Sequence, residues 1–174
     1  MAIYKYGDKV PIIGKNSYVS DSARVIGDVI IGNNVYIGHG AIIRGDYGKI
    51  EIGDGSAIEE GAILHIRPNG LLKIEDNVTV GHGAVIHCNH IKSFAVIGLN
   101  ATISFDVIIG KWVIVAEGCL VPKGKVIEDE LIIAGAPYKI LGKVQKKHKD
   151  FWIYAKKLYN NLAKEYPHNF IRIA

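Results

Sequence analysis

Only two cysteines, Cys88 and Cys119, occur among the 174 residues, and neither has a C-x-x-C partner. That excludes a disulfide framework and predicts reduced thiols with packing or surface roles. Long apolar runs are missing too. The 49% hydrophobic content is scattered in short Ile/Val groups broken by Gly, Asp, Asn and Lys, so nothing approaches the 18 or more residues of a membrane span and no membrane partner is expected. The opening MAIYKYGDKVPIIG has no basic region leading into an apolar stretch; it does not read as a secretory signal, and a cytoplasmic location is expected. The formal charge of +4 comes largely from Lys143, Lys146, Lys147, Lys149, Lys156, Lys157 and Lys164. With neither clustered aromatics on a sheet nor an arginine-rich groove, that run reads as a solvated helix face, and no nucleic-acid partner is expected.

What is present is a repeat. Aliphatic residues recur every six positions at Ile13, Val19, Val25, Ile31, Ile37 and Ile43, a spacing that fits neither an α-helix nor an ordinary strand. The count resumes after a three-residue insertion at Ile52, Ile58 and Leu64, and after four extra residues at Ile74, Val80 and Ile86. It resumes again, one residue short, at Ile91 and continues to Ile127. Glycine follows the aliphatic position at Gly14, Gly32, Gly38, Gly53, Gly81, Gly98 and Gly110, which suits a tight corner. Each hexad is then a short strand plus a corner. Three of them close a triangular coil of about 18 residues, and coils stack as parallel strands about 4.8 Å apart. The predicted fold is all-β: a left-handed parallel β-helix over residues 1–142, followed by a C-terminal amphipathic helix within 143–174. Phe151, Tyr154, Ala155, Leu158, Leu162 and Tyr166 recur at helical intervals from about Lys146 to Tyr166, so this helix should lie along the prism with most of its aromatics packed.

Counting hexads assigns histidines to faces. Ile43, Leu64, Ile86 and Ile103 share one face, so the residues that follow them, Arg44, His65, His87 and Ser104, form one outward column. His65 and His87 become neighbours on adjacent coils. Two imidazole nitrogens sharing a tetrahedral zinc lie roughly 3.3 Å apart, given bonds of about 2.0–2.1 Å, and neighbouring rungs can meet that. His82 falls on the preceding face, in a column with His39, Glu60 and Leu99. It is not expected to reach the metal of its own chain. In a three-fold assembly of parallel prisms, the corner of one subunit approaches the next subunit's face, so His82 is expected to complete a neighbour's site in a homotrimer. Three histidines leave a fourth position open, as catalytic zinc sites do. His39 and His90 are read as bystanders.

The segments R-G-D at Arg44–Asp46, A-I-L-H ending at His65, and V-T-V-G-H-G-A-V-I-H from Val78 to His87 resemble the γ-class carbonic anhydrase family over nearly the whole chain. G-D-V-I-I-G-N-N-V-Y-I-G with R-G-D-Y-G is most similar to the subgroup associated with phenylacetate degradation and carnitine metabolism, some of whose members are linked to coenzyme A thioesters. The resemblance implies His65, His82 and His87 as metal ligands, a supporting Arg44–Asp46 salt bridge at the trimer interface, and Tyr159 near the site. The chain departs from the family at Glu59, where a glutamine usually orients the metal-bound water, at Ala57 in place of an asparagine, and at Arg67–Leu72, too short and basic for the acidic loop of the most active members. After His87 the usual Gly-Cys is Cys88-Asn89.

The function this predicts is reversible hydration of CO2 to bicarbonate by a metal-bound hydroxide at trimer interfaces, with Glu59 as water-orienting group or base. Zinc is the expected metal; imidazole ligands also suit iron or cobalt. The missing shuttle loop predicts a slow or silent enzyme. A second reading sets the same site against an acyl-CoA thioester, with Arg67 and the C-terminal lysines meeting the coenzyme's phosphates. A third is a catalytically silent, trimeric metal-binding scaffold. Single-histidine acyl transfer would give no reason to place three histidines at ligand spacing.

Overall fold

The computed structural model describes residues 2–173; residues 1 and 174, the outer limits of the two expected units, lie outside the described residues. The hexad pattern produces a parallel β-solenoid of about seven turns with one C-terminal helix. The first face carries the start of strands Arg24–Ile31 and Ile42–Ile52, then Ile63–His65, Val85–Ile86, Thr102–Ile103 and Leu120–Val121. The second face carries the ends of those two long strands, then Leu71–Ile74, His90–Ile91, Ile108–Ile109 and Val126–Ile127. The third face runs from Tyr18–Val19 through Tyr36–Ile37, Ala57–Ile58, Thr79–Val80, Val96–Ile97 and Ile114–Val115 to Leu131–Ala134. The antiparallel strand Lys139–Lys143 ends that sheet.

The aliphatic ladder fills the prism. From Val19 to Ile127 every position of the ladder is at most 2% exposed, and Ile13 packs at its end. Each of these side chains contributes about 1.5–3 kcal/mol by leaving water. A second inward row stands two residues earlier in many hexads: Ala23, Val35, Ala41, Ala62, Ala84, Ala95, Ala101 and Cys119 are fully buried. Small residues alternate with large ones because the triangle's corners leave little room. Cys119 belongs to this row, and Cys88 is likewise buried and free, its thiol pushed up to about 12 by burial, so neither is reactive.

The corners bring backbones close. A Cβ on Gly98 would stand 2.7 Å from the carbonyl carbon of Ala116 on the next coil. Gly98→Ala is therefore expected to cost about 1–3 kcal/mol, seen as a lower urea midpoint. An unchanged midpoint would mean that neighbouring coils part there at no cost.

Helix α1 (Lys146–Asn169) runs through Pro167 and ends three residues beyond Tyr166. It packs against the third face, where Tyr159, Leu162, Ala163 and Tyr166 meet Tyr18, Tyr36 and Ala57. Rings are 5.0 Å apart for Tyr18–Tyr166 and 5.4 Å for Tyr36–Tyr159. The packed face matches the helical spacing at Leu162 and Tyr166 but adds Tyr159 and Ala163 in place of its earlier aromatics. Phe151, Tyr154 and Leu158 are 60%, 63% and 46% exposed. Counting apolar residues alone missed that exchange, because α1 is seated by tyrosine rings and by Lys156. The sequence placed Lys156 on a solvated face, yet it is 5% exposed. No helix among the described residues is long and apolar enough to cross a membrane.

Candidate metal centre

The strand pairing puts Arg44 opposite His65 and aligns Leu64 with Ile86 on the first face. His65 and His87 therefore project side by side, with ring centroids 5.3 Å apart and planes at 89°. Tyr47 flanks the His65 ring at 5.5 Å and Phe105 the His87 ring at 4.6 Å. Neither aromatic was singled out from the sequence, although Phe105 directly follows Ser104 in the outward column.

Arg44 Nη2 lies 3.0 Å from His65 Nε2. A guanidinium only donates, so Nε2 presents its lone pair and the ring is neutral. Asp46 Oδ1 is 3.3 Å from the same nitrogen, an arrangement that would suit a charged ring. The neutral assignment is preferred, because burial first and then the Arg44 charge hold His65 below the usual histidine range. Arg44 Nε is 3.2 Å from Asp46 Oδ2 but makes no hydrogen bond there. The expected Arg44–Asp46 pair is thus a close charge contact that braces His65.

His87 is likewise held low by burial, then by His65 and Arg44. Its Nδ1 is buried without a hydrogen-bond partner. Two adjacent neutral imidazoles, one with an orphaned nitrogen, suit a divalent ion, which binds the deprotonated ring.

His82 sits at the corner after Thr79–Val80, on the third face. Its Nδ1 is 2.7 Å from Glu60 Oε2 and its Nε2 3.1 Å from Glu59 Oε2, with the side chain 48% exposed. No group of three His, Cys, Asp or Glu residues among those described could hold a metal within this one chain. The chain brings His65 and His87 together and leaves His82 apart, as the hexad count indicated.

Glu59 is almost fully buried. Burial raises its carboxyl above the ordinary range, against the opposing pull of His82 and the Tyr159 hydroxyl bond. For Tyr159, burial first and the Glu59 charge second raise the phenol. Glu60 differs: burial pushes it up, but the Tyr36 hydroxyl, its own backbone N–H, His82 and His39 bring it below the usual range. Tyr36 donates to Glu60 Oε1 at 2.7 Å. Tyr36 was invisible as a site residue, since nothing in the hexad marks which outward tyrosine meets a carboxylate.

The remaining candidates have structural partners. His39 Nδ1 is 2.6 Å from Ser20 Oγ, and His90 Nε2 is 2.7 Å from Glu75 Oε1. Arg67 pairs with Asp106 at 2.7 Å, Lys149 with Glu130 and Lys146 with Asp150 at 2.6 Å each.

The model of the bacterial transferase hexapeptide, six repeats, matches residues 11–45. Mitochondrial γ carbonic anhydrase 2 of Arabidopsis thaliana is 35% identical over 162 residues, which span 90% of this chain and 58% of that protein. Carnitine operon protein CaiE of Salmonella agona is 32% identical over 163 residues, 94% of this chain and 82% of CaiE. The chain belongs to the hexapeptide-repeat family of CaiE and the γ carbonic anhydrases. Within that family the solenoid and the closing helix are shared in three dimensions as well. The solved Bacillus cereus product of the BC4754 gene is 31% identical and superposes with a TM-score of 0.92, covering 95% of this chain and 96% of that one. The chain spans about 59% of the length of both the Arabidopsis γ carbonic anhydrase 1 and a Dictyostelium discoideum relative.

Proposed function

We propose that this chain is a divalent-metal protein that hydrates CO2 reversibly, and that its site is closed by a second copy of the chain in a homotrimer. The observation that carries this reading is the pair of neutral, adjacent imidazoles of His65 and His87, with an orphaned nitrogen and, among the described residues, no third histidine beside them. The partner subunit's His82 would supply the third nitrogen. A zinc ion held there would supply Lewis acidity and would bring the pKa of a water toward neutrality.

This chain's own groups do the rest. Arg44 gives up its bond to the His65 lone pair and stays beside Asp46, which keeps the two rings upright. Tyr47 and Phe105 wall the rings from bulk water. Glu59, held by the Tyr159 hydroxyl, accepts a hydrogen bond from the attacking water and takes its proton. Its raised pKa brings its proton affinity closer to neutral pH than that of an ordinary glutamate. His82 turns one nitrogen outward while Glu60 keeps hold of the other, an outer-shell pattern common to histidine ligands.

A second reading, turnover of an acyl thioester, is favoured by one observation: Glu59 and His82 line a cleft whose walls are mostly apolar. The two separate on one preparation. Protein purified without oxygen is assayed for metal per chain and for CO2 hydration by stopped flow, beside His87→Ala. About one metal per chain, with hydration lost in the variant, is the expected result. Metal without hydration would move the assignment to thioester chemistry or a silent scaffold. Absence of metal would remove the shared site altogether.

A further inference from the structure

Beneath α1 lies a cleft of about 360 Å³, toward the small end of sites that hold organic molecules. It follows the third face, whose register stacks Ala57, Thr79, Val96 and Ile114 on successive coils. Glu59 and Glu117, just beyond the first and last of these, therefore stand three coils apart, on the order of 14 Å. Both line the cleft, and its walls between them include Val96, Leu99 and Ile114. Helix α1 descends the stack of coils, since Lys149 reaches Glu130 and Trp112 while Lys156 reaches Thr79. Trp152, also in the lining, is thereby held between those levels, toward Glu117, whereas Tyr159 bonds Glu59 at the other end.

The charged side chains of the cleft are Glu59 and Glu117, with His82 as the one group able to carry the opposite sign. His82 Nε2 is 3.1 Å from Glu59 Oε2, so that end is already compensated. Lys156 turns elsewhere, its Nζ 2.9 Å from the Thr79 hydroxyl and 3.4 Å from the Ala95 carbonyl, and the charge that acts on it is Glu59. Glu117 is exposed, and among the described residues nothing pairs with its carboxylate. An indole face attracts cations through its quadrupole, and a free carboxylate beyond it adds to that attraction. Carboxylates three coils apart do not converge on one metal ion, in keeping with the lack of any three-ligand group among the described residues. Hydrocarbon walls between them suit alkyl groups.

We propose that this cleft binds a small alkylammonium cation, its charged head between the Trp152 indole and the Glu117 carboxylate and its apolar body along Val96, Leu99 and Ile114. An anion would meet a carboxylate at either end. A neutral molecule of the same shape would gain the walls but neither the indole quadrupole nor Glu117. Such binding is separate from CO2 hydration, which engages only the Glu59 end.

Trp112→Phe leaves Trp152 as the sole indole, and its fluorescence in the protein as purified is followed during additions of choline, of dimethylbutanol as the uncharged isostere of choline, and of hexyltrimethylammonium. The expected result is a saturable change with both cations, tighter for the hexyl compound because its chain covers the walls. Choline should bind at least about fivefold more tightly than its isostere, the scale of a cation–π contact. Adding Glu117→Gln, at an exposed position that the fold does not need, should weaken choline about threefold and leave dimethylbutanol unchanged. Equal affinity for the isostere, a hexyl chain that adds nothing, no saturable change, or an undiminished preference for choline in Glu117→Gln would each overturn the assignment. The readout is Trp152 emission rather than hydration, so failure here leaves the CO2 reading standing, and failure of that reading leaves this one.

Discussion

Two inactive variants, His87→Ala and His82→Ala, should restore each other when mixed and allowed to exchange subunits. Each alone is expected to fall to background in bound metal and CO2 hydration, because each lacks one imidazole at every site. In a mixed ring an intact site forms wherever the first face comes from a His82→Ala chain and the third imidazole from a His87→Ala chain. Random assembly of equal amounts gives about one such interface in four, since each requirement is met half the time in a symmetric ring. Metal content and hydration should both recover to that fraction. The decisive control is a mixture of His65→Ala with His87→Ala. No chain in that mixture carries both first-face histidines, so it must stay silent. Recovery in the control, or none in the first mixture, would show that the ligands are not divided between subunits in this way. The expectation follows directly from the faces: His65 and His87 share one, and His82 occupies another with its nitrogens on Glu59 and Glu60.

Much of this was legible before any coordinates, for a physical reason. A prism built from hexads allows only certain residues inward, so Ile43, Leu64, Ile86 and Ile103 disclose the register through the insertions between them. Register then delivers the columns, and the adjacency of His65 and His87 is a consequence of counting. The inner row of small residues, Ala41, Ala62, Ala84 and Ala101, carries the same period and was readable in principle.

What escaped has no period. The docking face of α1 was legible at Leu162 and Tyr166 but not earlier in the helix, because Phe151, Tyr154 and Leu158 satisfy helical spacing as well as Trp152 and Tyr159 do. The choice depends on tyrosines of another element, Tyr18 and Tyr36, that lie far away in sequence. Glu59 and Glu60 are adjacent carboxyls with opposite shifts. One loses more to burial than its partners return, and the other is over-compensated by Tyr36, which is a matter of three-dimensional neighbours. The glutamate in place of a glutamine was visible in the sequence, but its burial and its bond from Tyr159 were not.

Lys156 is the residue whose environment is least deducible and whose replacement should matter most for stability. Lys156→Met is expected to make the protein more stable at pH 7. An unfolded lysine titrates near 10.4, whereas burial brings the folded amine to about 7. Between those values the unfolded chain binds a proton that the folded chain does not, so stability of the natural protein rises with pH across that window. At and below pH 7 the full penalty of keeping the amine buried is present, on the order of 2–4 kcal/mol. Methionine fills a similar volume without that penalty but gives up the bond to Thr79, which costs about 1 kcal/mol. The net gain at pH 7 is then about 1–3 kcal/mol, a rise of roughly 3–10 °C in Tm for a chain of this size. Comparing urea midpoints of the two proteins at pH 7 and pH 10 provides the check. The advantage of methionine should shrink steeply toward pH 10 and its own curve should be the flatter one. A constant difference at both values would mean that Lys156 is charged and solvated when folded.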